Sequence, residues 1–529
     1  MPRLWTRARL ILISVLSAIG ALQAVAAIVA AMAASRLLGA PAEGGMASAT
    51  AVLAGVAGLI ALRVVQRRWA ERFALGYVKA LRLALMSHVM RLPANGRSAS
   101  TGLVMTRVVN DLSAIKLWLS DGVVSIAVAA SLIGSLLTFL VIAHPGLAAA
   151  LLPGLLAWGA VLAVFAGPLN RRIVQSRRVR GRIANAAGRI LAGRLTLLAH
   201  GRHGTSLRKL ERQSDDLNRE LVGRATVSGV LRAASELVFP ITAVCFGLQL
   251  FGGGATSLEL LGLLILVTAV LVGQLNAVAI ALEYRLANNV AMARLRNVFT
   301  RPALEQADEV RPLRRKRGGR ALAVSDFFLT GTSSTLSFSV PKGGIAVLRD
   351  LPEDVARGLF AQLAGIDYIS AGHVTIDDVP LERFDPADLR KTVAYLTGAM
   401  PMVPASLAVN ASLGSPRAVT SAARAQVLQT LGLTEDVLSV RPDDAVRVSK
   451  RTLAAVRAAR TMLRKASVVL VDDADVMADP DLLCPLLHEL QARRITIVLA
   501  PGVVEIRGSL PTDLRADIVW IETQDAAAA

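Results

Sequence analysis

Six long apolar runs, separated by alternately long basic and short neutral connections, restrict this chain to a membrane architecture. A helix needs roughly 20 mostly apolar residues to cross about 30 Å of hydrocarbon. Residues 9–34, 46–64, 122–143, 146–167, 229–252 and 257–281 read as such spans, the fifth interrupted by Glu236 and Pro240. Composition agrees. The chain is 53% hydrophobic with a mean hydropathy of +0.52, yet only 4% aromatic. Its apolar mass is Ala, Leu and Val, which suits lipid-facing helices better than an aromatic-rich core.

A net charge of +20 would suggest nucleic acid if the charges were spread over a soluble surface. They are not. Residues 65–121 carry Arg67, Arg68, Arg72, Lys79, Arg82, Arg91, Arg97, Arg107 and Lys116, and 168–228 is denser still. The connections 144–145 and 253–256 carry no basic residue, and 35–45 holds only Arg36. The positive-inside rule then places the N-terminus, both long loops and everything after residue 281 in the cytoplasm, so a multi-pass protein of the plasma (inner) membrane is expected and no nucleic-acid partner. The first run, preceded by Arg3, Arg7 and Arg9, is too long for a signal-peptide core and reads as an uncleaved anchor. Cys245 and Cys484 lie in different domains, so no disulfide is expected. The six histidines show no metal-binding spacing, and no metal site is expected.

Segments 65–94, 168–200 and 282–303 keep apolar residues at helical spacing between their charges, which predicts that the spans continue beyond the bilayer. The basic stretch 304–320, ending RPLRRKRGGR, reads as a linker, either a solvated tether or a contact with anionic headgroups. From residue 321 the pattern changes. Short apolar runs (LAVSDFFL, TLSFSV, GIAVLR, HVTID, TVAYL, SVVLVDD, ITIVLA, DIVWIE) alternate with helical segments 355–364, 419–432, 450–465 and 480–492. That alternation predicts an α/β domain, 321–529, with a largely parallel sheet, behind an all-α membrane domain, 1–303.

This layout resembles the type I ABC exporter half-transporters, a six-helix transmembrane domain fused to a nucleotide-binding domain. STGLVMTRVVNDLSAIKLWLSDGV (100–123), with Asn110 and Asp111, resembles the family's stretch leading into its third helix. LSFSVPKGG (336–344), LAGI (363–366), SAGHVTIDDVPL (370–381) and DPADLRKTVAYL (385–396) resemble the family's framework around the phosphate loop and Q-loop.

The resemblance implies nucleotide motifs at positions where this sequence has lost them. A phosphate loop, GxxxxGK[ST], needs glycines so that backbone N–H groups can close around phosphate, and a lysine to reach its oxygens. Here the first glycine position is Asp350, the second Val355, the lysine Ala356 and the hydroxyl Arg357, with Glu353 and Asp354 between. Two like charges about 4 Å apart cost about 1 kcal/mol even in water, so Asp350, Glu353 and Asp354 should repel a triphosphate. The Q-loop glutamine falls on Gly398, the signature LSGGQ reads Val448-Ser449-Lys450-Arg451-Thr452, and the switch histidine falls on Pro501. Asp472 keeps the metal-linked position after the Val468–Val471 strand, and Asp473 stands at the catalytic glutamate's place.

Each survivor also has a plainer reading. Asp472 and Asp473 are either catalytic remnants or a cap on the following helix, and Ser449 reads as an N-cap. Lys450 and Arg451 either touch a partner's phosphate or form a solvated face. In the membrane, Gln23, Glu236, Gln249, Gln274 and Asn276 are polar; Glu236, Gln274 and Asn276 are the candidate substrate contacts, against helix–helix hydrogen bonding as the alternative. In the family each ATP is held between one subunit's loop and the other's signature. The resemblance thus implies a chain that is ATPase-inactive alone and binds no nucleotide through its own loop. It would form the non-catalytic half of a heterodimer whose competent partner carries ATP and Mg²⁺. A homodimer, or a membrane scaffold or regulator that works without ATP, is the alternative.

Overall fold

A computed structural model describes residues 2, 6–39, 45–93, 112–251, 258–304, 318–328, 335–367, 372–416, 419–442, 448–502, 506, 510–511 and 513–522. Asn110, Asp111 and most of the basic linker lie outside these residues. The chain divides into two compact units, with the boundary between Arg301 and Pro302 and with residues from Val89 grouped with the second.

The first unit is helical. Its elements are α1 (Arg7–Gly39), α2 (Gly45–Val89), α3 (Leu112–Ala143), α4 (Pro145–Ala192), the short α5 (Arg194–Ala199), α6 (His203–Ala233), α7 (Val238–Phe251) and α8 (Leu258–Phe299). Six helical stretches among the described residues are long and apolar enough to cross a membrane, α6 and α7 counting as one. The expected continuations are present: α2 has 45 residues, α4 48 and α8 42. At 1.5 Å per residue these helices run about 60–70 Å, twice the hydrocarbon thickness. The interruption expected in the fifth span is a 3₁₀ turn, Ala234–Leu237, which ends three residues before Pro240. Proline offers no N–H to the carbonyl four residues back, so α7 starts afresh at Val238 with Pro240 in its first turn.

Small residues set the helix spacing. A Cβ added at Gly20 would sit 2.9 Å from the Val128 carbonyl oxygen of α3, and one at Gly55 would meet the Ala30 side chain of α1 at 2.9 Å. Backbones that approach this closely have no room for a larger residue. Leu132, Leu136 and Leu140, one face of α3, pack with Ala24 and Ala31 of α1 and Leu264 and Leu271 of α8.

The second unit holds two sheets. One is antiparallel, β2-β1-β4-β5, from β1 (Leu322–Phe328), β2 (Thr335–Val340), β4 (His373–Ile376) and β5 (Val379–Pro380). The other is parallel, β6-β7-β8-β3-β9, from β3 (Ile345–Arg349), β6 (Val393–Leu396), β7 (Val468–Val471), β8 (Thr496–Leu499) and β9 (Ile518–Glu522). The expectation of a largely parallel sheet therefore needs correction. The six residues between β1 and β2 are too few for a parallel crossover, which takes a dozen or more, so these strands return as an antiparallel pair. The α/β helices that matter below are α9 (Glu353–Leu363), α10 (Lys450–Leu463), α11 (Ala474–Met477) and α12 (Pro480–Ala492), with shorter helices between α9 and α10.

Both faces of the parallel sheet are covered. Ile345 and Val347 of β3, Val469 and Val471 of β7, and Ile497 and Leu499 of β8 face one core with α10 and α12. The alternate residues Ala346, Leu348, Val468, Leu470 and Val498 face a second core with α9 and the antiparallel sheet. Burial on two sides explains why these strands read as continuous apolar runs rather than alternating ones.

Candidate functional site

In open parallel sheets, ligands bind beyond the carboxyl ends of the strands, where loops and helix N-termini converge. The neighbouring strands β7, β8 and β3 deliver the candidate residues to that edge. β3 leads through Asp350, Leu351 and Pro352 into α9, β7 ends on Asp472 and Asp473, and β8 runs into Ala500 and Pro501.

The β3–α9 connection is a tight turn rather than a wide loop. Asp350 takes φ = +56°, the left-handed conformation that a glycine would adopt freely. Leu351 turns inward and is buried, and α9 is already helical at Glu353. The Ala356 amide bonds the Pro352 carbonyl at 2.9 Å, so it belongs to the helix ladder. Val355 and Ala356 are buried in the core. Asp350, Glu353 and Asp354 are exposed, and Glu353 and Asp354 occupy the first turn, where the helix dipole favours negative charge. Glu353 is also ion-paired with Arg357, one turn on.

Asp472 and Asp473 follow one another and meet different surroundings. Tyr395 donates its hydroxyl to Asp472 Oδ2 at 2.6 Å, and the Thr397 hydroxyl also bonds this carboxylate. Burial pushes the Asp472 carboxyl above the ordinary range, against the pull of those hydrogen bonds and of the nearby Arg357 charge. Burial, with the Asp472 charge behind it, likewise pushes the Tyr395 hydroxyl up. Asp472 Oδ1 and Arg357 Nε are both buried without a hydrogen-bond partner.

Asp473 is fully buried and held by both arms of Arg457 from α10, through Nε to Oδ2 and through Nη2 to Oδ1 at 3.1 Å. Its Oδ1 also accepts the Val476 amide at 3.3 Å, capping α11. Arg457 reaches Asp475 as well, at 3.2 Å. Gly398 borders this pair, since a Cβ there would lie 3.6 Å from Asp473 Oδ1 and 3.8 Å from Arg457 Nη2. The capping alternative for Asp473 is thus its observed contact, although its main partner is an arginine that sequence reading passed over. Two adjacent carboxylates at a buried strand end call for a counter-charge, and Arg457 sits in the alanine-rich run AAVRAA. That was the available signal.

Ser449 caps α10, accepting the Thr452 amide at 3.0 Å. Arg451 donates to Asp479 and Asp481, both at 2.8 Å, at the start of α12, while Lys450 is exposed. Pro501 is buried after β8. In the membrane unit, Gln23 is buried and donates to Gln66 at 2.9 Å, a helix–helix hydrogen bond. Glu236 is exposed in the 3₁₀ turn, and Gln274 and Asn276 are half-buried on α8, with Asn276 Oδ1 unpartnered. Among the described residues no hydrogen bond or ion pair joins these three. The buried acid of this region is instead Glu283, one residue pair beyond the expected span and held by Arg224, Ser228 and Arg232.

The profile of the ABC transporter transmembrane region matches residues 10–275, half of the chain. The chain belongs to the ABC transporter family. Among solved structures it is similar to a bacterial Atm1-family ABC exporter with ATP bound, at 16% identity and a TM-score of 0.79, over 98% of this chain and 94% of that one. At that identity the likeness is one of fold: six apolar helices followed by an α/β domain, the architecture of an ABC exporter half. Among curated proteins, no sequence match is found. As an ABC transporter chain with six helical stretches long and apolar enough to cross a membrane, it is a multi-pass membrane protein.

Proposed function

We propose that this subunit is the non-catalytic half of a heterodimeric ABC exporter, with the α/β domain on the cytoplasmic side. The observation that carries the reading is that α9 starts at Glu353, so the segment that would wrap phosphate is a three-residue turn, Asp350–Pro352, running straight into helix. Its first turn presents carboxylates, and the lysine position is the buried Ala356. These residues do not fit a nucleoside triphosphate. Asp473 supports the same reading. A general base must reach the water it activates, and both oxygens of this carboxylate are engaged by Arg457 inside the protein.

An exporter cycle requires ATP to bind one conformation better than another. A subunit without such a site depends on a partner that has one. In the pair, the competent half would hold ATP and Mg²⁺ on its own loop, against the Ser449-Lys450-Arg451 corner of this chain. The test uses the full chain, purified alone and co-purified with a competent half. An azido-ATP photoprobe should label only the competent half, and ATP hydrolysis should vanish when that half loses its loop lysine while surviving Asp473→Ala here. Saturable labelling of this chain, lost on changing residues 350–358, would overturn the reading. Hydrolysis by no pairing, with the fold intact, would favour a scaffold instead.

A further inference from the structure

Arg224, Ser228 and Arg232 lie on one face of α6, at spacings of four residues, and line a cavity of about 320 Å³ with Glu283 of α8. Glu283 is 8% exposed. Its Oε1 accepts from Arg224 Nε at 3.2 Å and from Nη2, and its Oε2 accepts from Ser228 at 2.8 Å and from Arg232 at 3.2 Å. The carboxylate is saturated. The arginines are not: each guanidinium has five N–H donors, and these contacts use two from Arg224 and one from Arg232. Two cations against one anion leave the pocket with one net positive charge. The rest of the lining, including Leu221 and Ala225, is apolar or small.

Depth indicates what reaches this pocket. About 20 residues of helix cross the hydrocarbon. Counted down α8 from Leu258, the far boundary falls near residue 278, and Glu283 lies five residues, about 7 Å, beyond it. Counted back from Phe251, the boundary falls near Arg232. The headgroup layer extends some 5–7 Å beyond the hydrocarbon on each side, so Glu283 and Arg232 sit at that level. Basic pockets between membrane helices at this level suit lipid phosphates, which guanidinium groups grip through paired N–H donors.

We propose that the Arg224–Arg232 pocket binds a phosphate-bearing anion, and that its occupant is the headgroup of an anionic phospholipid. The single net charge matches one phosphodiester rather than a polyanion. The apolar lining and the depth favour a headgroup over soluble phosphate. Glu283 holds the two guanidiniums side by side and tempers their charge. This site lies outside the α/β domain, and the assignment stands independently of that domain's competence.

The experiment uses the delipidated full chain in dodecyl maltoside and radiolabelled dioleoyl phosphatidylglycerol. Binding should saturate near one lipid per chain and resist competition by excess phosphatidylcholine. Replacing both arginines, Arg224→Gln with Arg232→Gln, should weaken it about tenfold or more, in line with the loss of charge-assisted hydrogen bonds. Arg219→Gln, on the exposed side of α6, should leave it unchanged. Glu283→Gln keeps a group that accepts from the arginines but raises the net charge, so it should tighten binding. That variant decides the matter if the double variant fails to fold. Equal retention of phosphatidylcholine, undiminished binding after loss of both arginines, or unchanged or weaker binding by Glu283→Gln would each overturn the site. Displacement by equimolar glycerol 3-phosphate would overturn the lipid source and assign a soluble phosphate.

Discussion

Asp472 and Asp473 leave the same strand on consecutive residues, and alternation turns one toward Tyr395 and the other toward Arg457. A buried ion pair is weak evidence of net stabilisation, because desolvation offsets the attraction, but removing one partner strands a charge. Arg457→Leu should therefore destabilise the protein by about 3–5 kcal/mol. Combining it with Asp473→Asn, which keeps an N-capping side chain, should recover most of that loss. Arg451→Leu, at exposed contacts with Asp479 and Asp481, should cost far less than the buried change. Thermal unfolding of these three variants beside the parent protein in detergent gives the comparison. An Arg457→Leu penalty as small as that of Arg451→Leu would show that Asp473 is not confined as described.

At the scale of elements, the turn between β3 and α9 carries a cost of its own. A non-glycine residue in the left-handed region pays roughly 1–2 kcal/mol, less for Asp than for most. Asp350→Gly should thus stabilise by about 1 kcal/mol, whereas Asp350→Ala should not stabilise at all; equal gains from both would refute strain at this turn. The same element shows what was legible. The strand was visible because IAVLR is buried on both faces, and the departure of residues 350–357 from GxxxxGK[ST] can be read off the sequence directly. That the helix would begin at Glu353 was not, since acidic residues serve helix starts and surface loops alike. The β4–β5 hairpin was also hidden: its turn is Asp377-Asp378, both at positive φ (+50° and +62°), where a glycine would have announced it. Arg457, Tyr395 and Glu283 escaped for a shared reason: each acts through contacts with residues 16 to 77 positions away. Spacing rules see neighbours, not tertiary partners.

For the whole molecule, the distribution of arginines and lysines predicts an orientation that chemistry can test. With Cys245 and Cys484 replaced, a single cysteine at Gly45, at the start of α2, should react with a membrane-impermeant maleimide on intact cells. One at Ser206, early in α6, should react only after permeabilisation. External labelling of Ser206 would sink the proposed N-inside arrangement.

The 48 residues of α4 form a continuous rod about 72 Å long, of which some 30 Å fits within hydrocarbon. A rod gripped by its neighbours near one end is a lever. A tilt of about 10° within the bilayer would sweep a tip some 40 Å outside it through roughly 7 Å, by simple geometry on those lengths. Run backwards, the same ratio means that a push of several ångströms at the distal end, near Ala192, reaches the membrane core as a rotation of only a few degrees. Pro153 and Pro168, both inside α4, remove one ladder hydrogen bond each and are the points where such a rod gives first. Leverage of this kind belongs to helix length and proline placement, and it would be kept by a subunit that borrows every push from a neighbour.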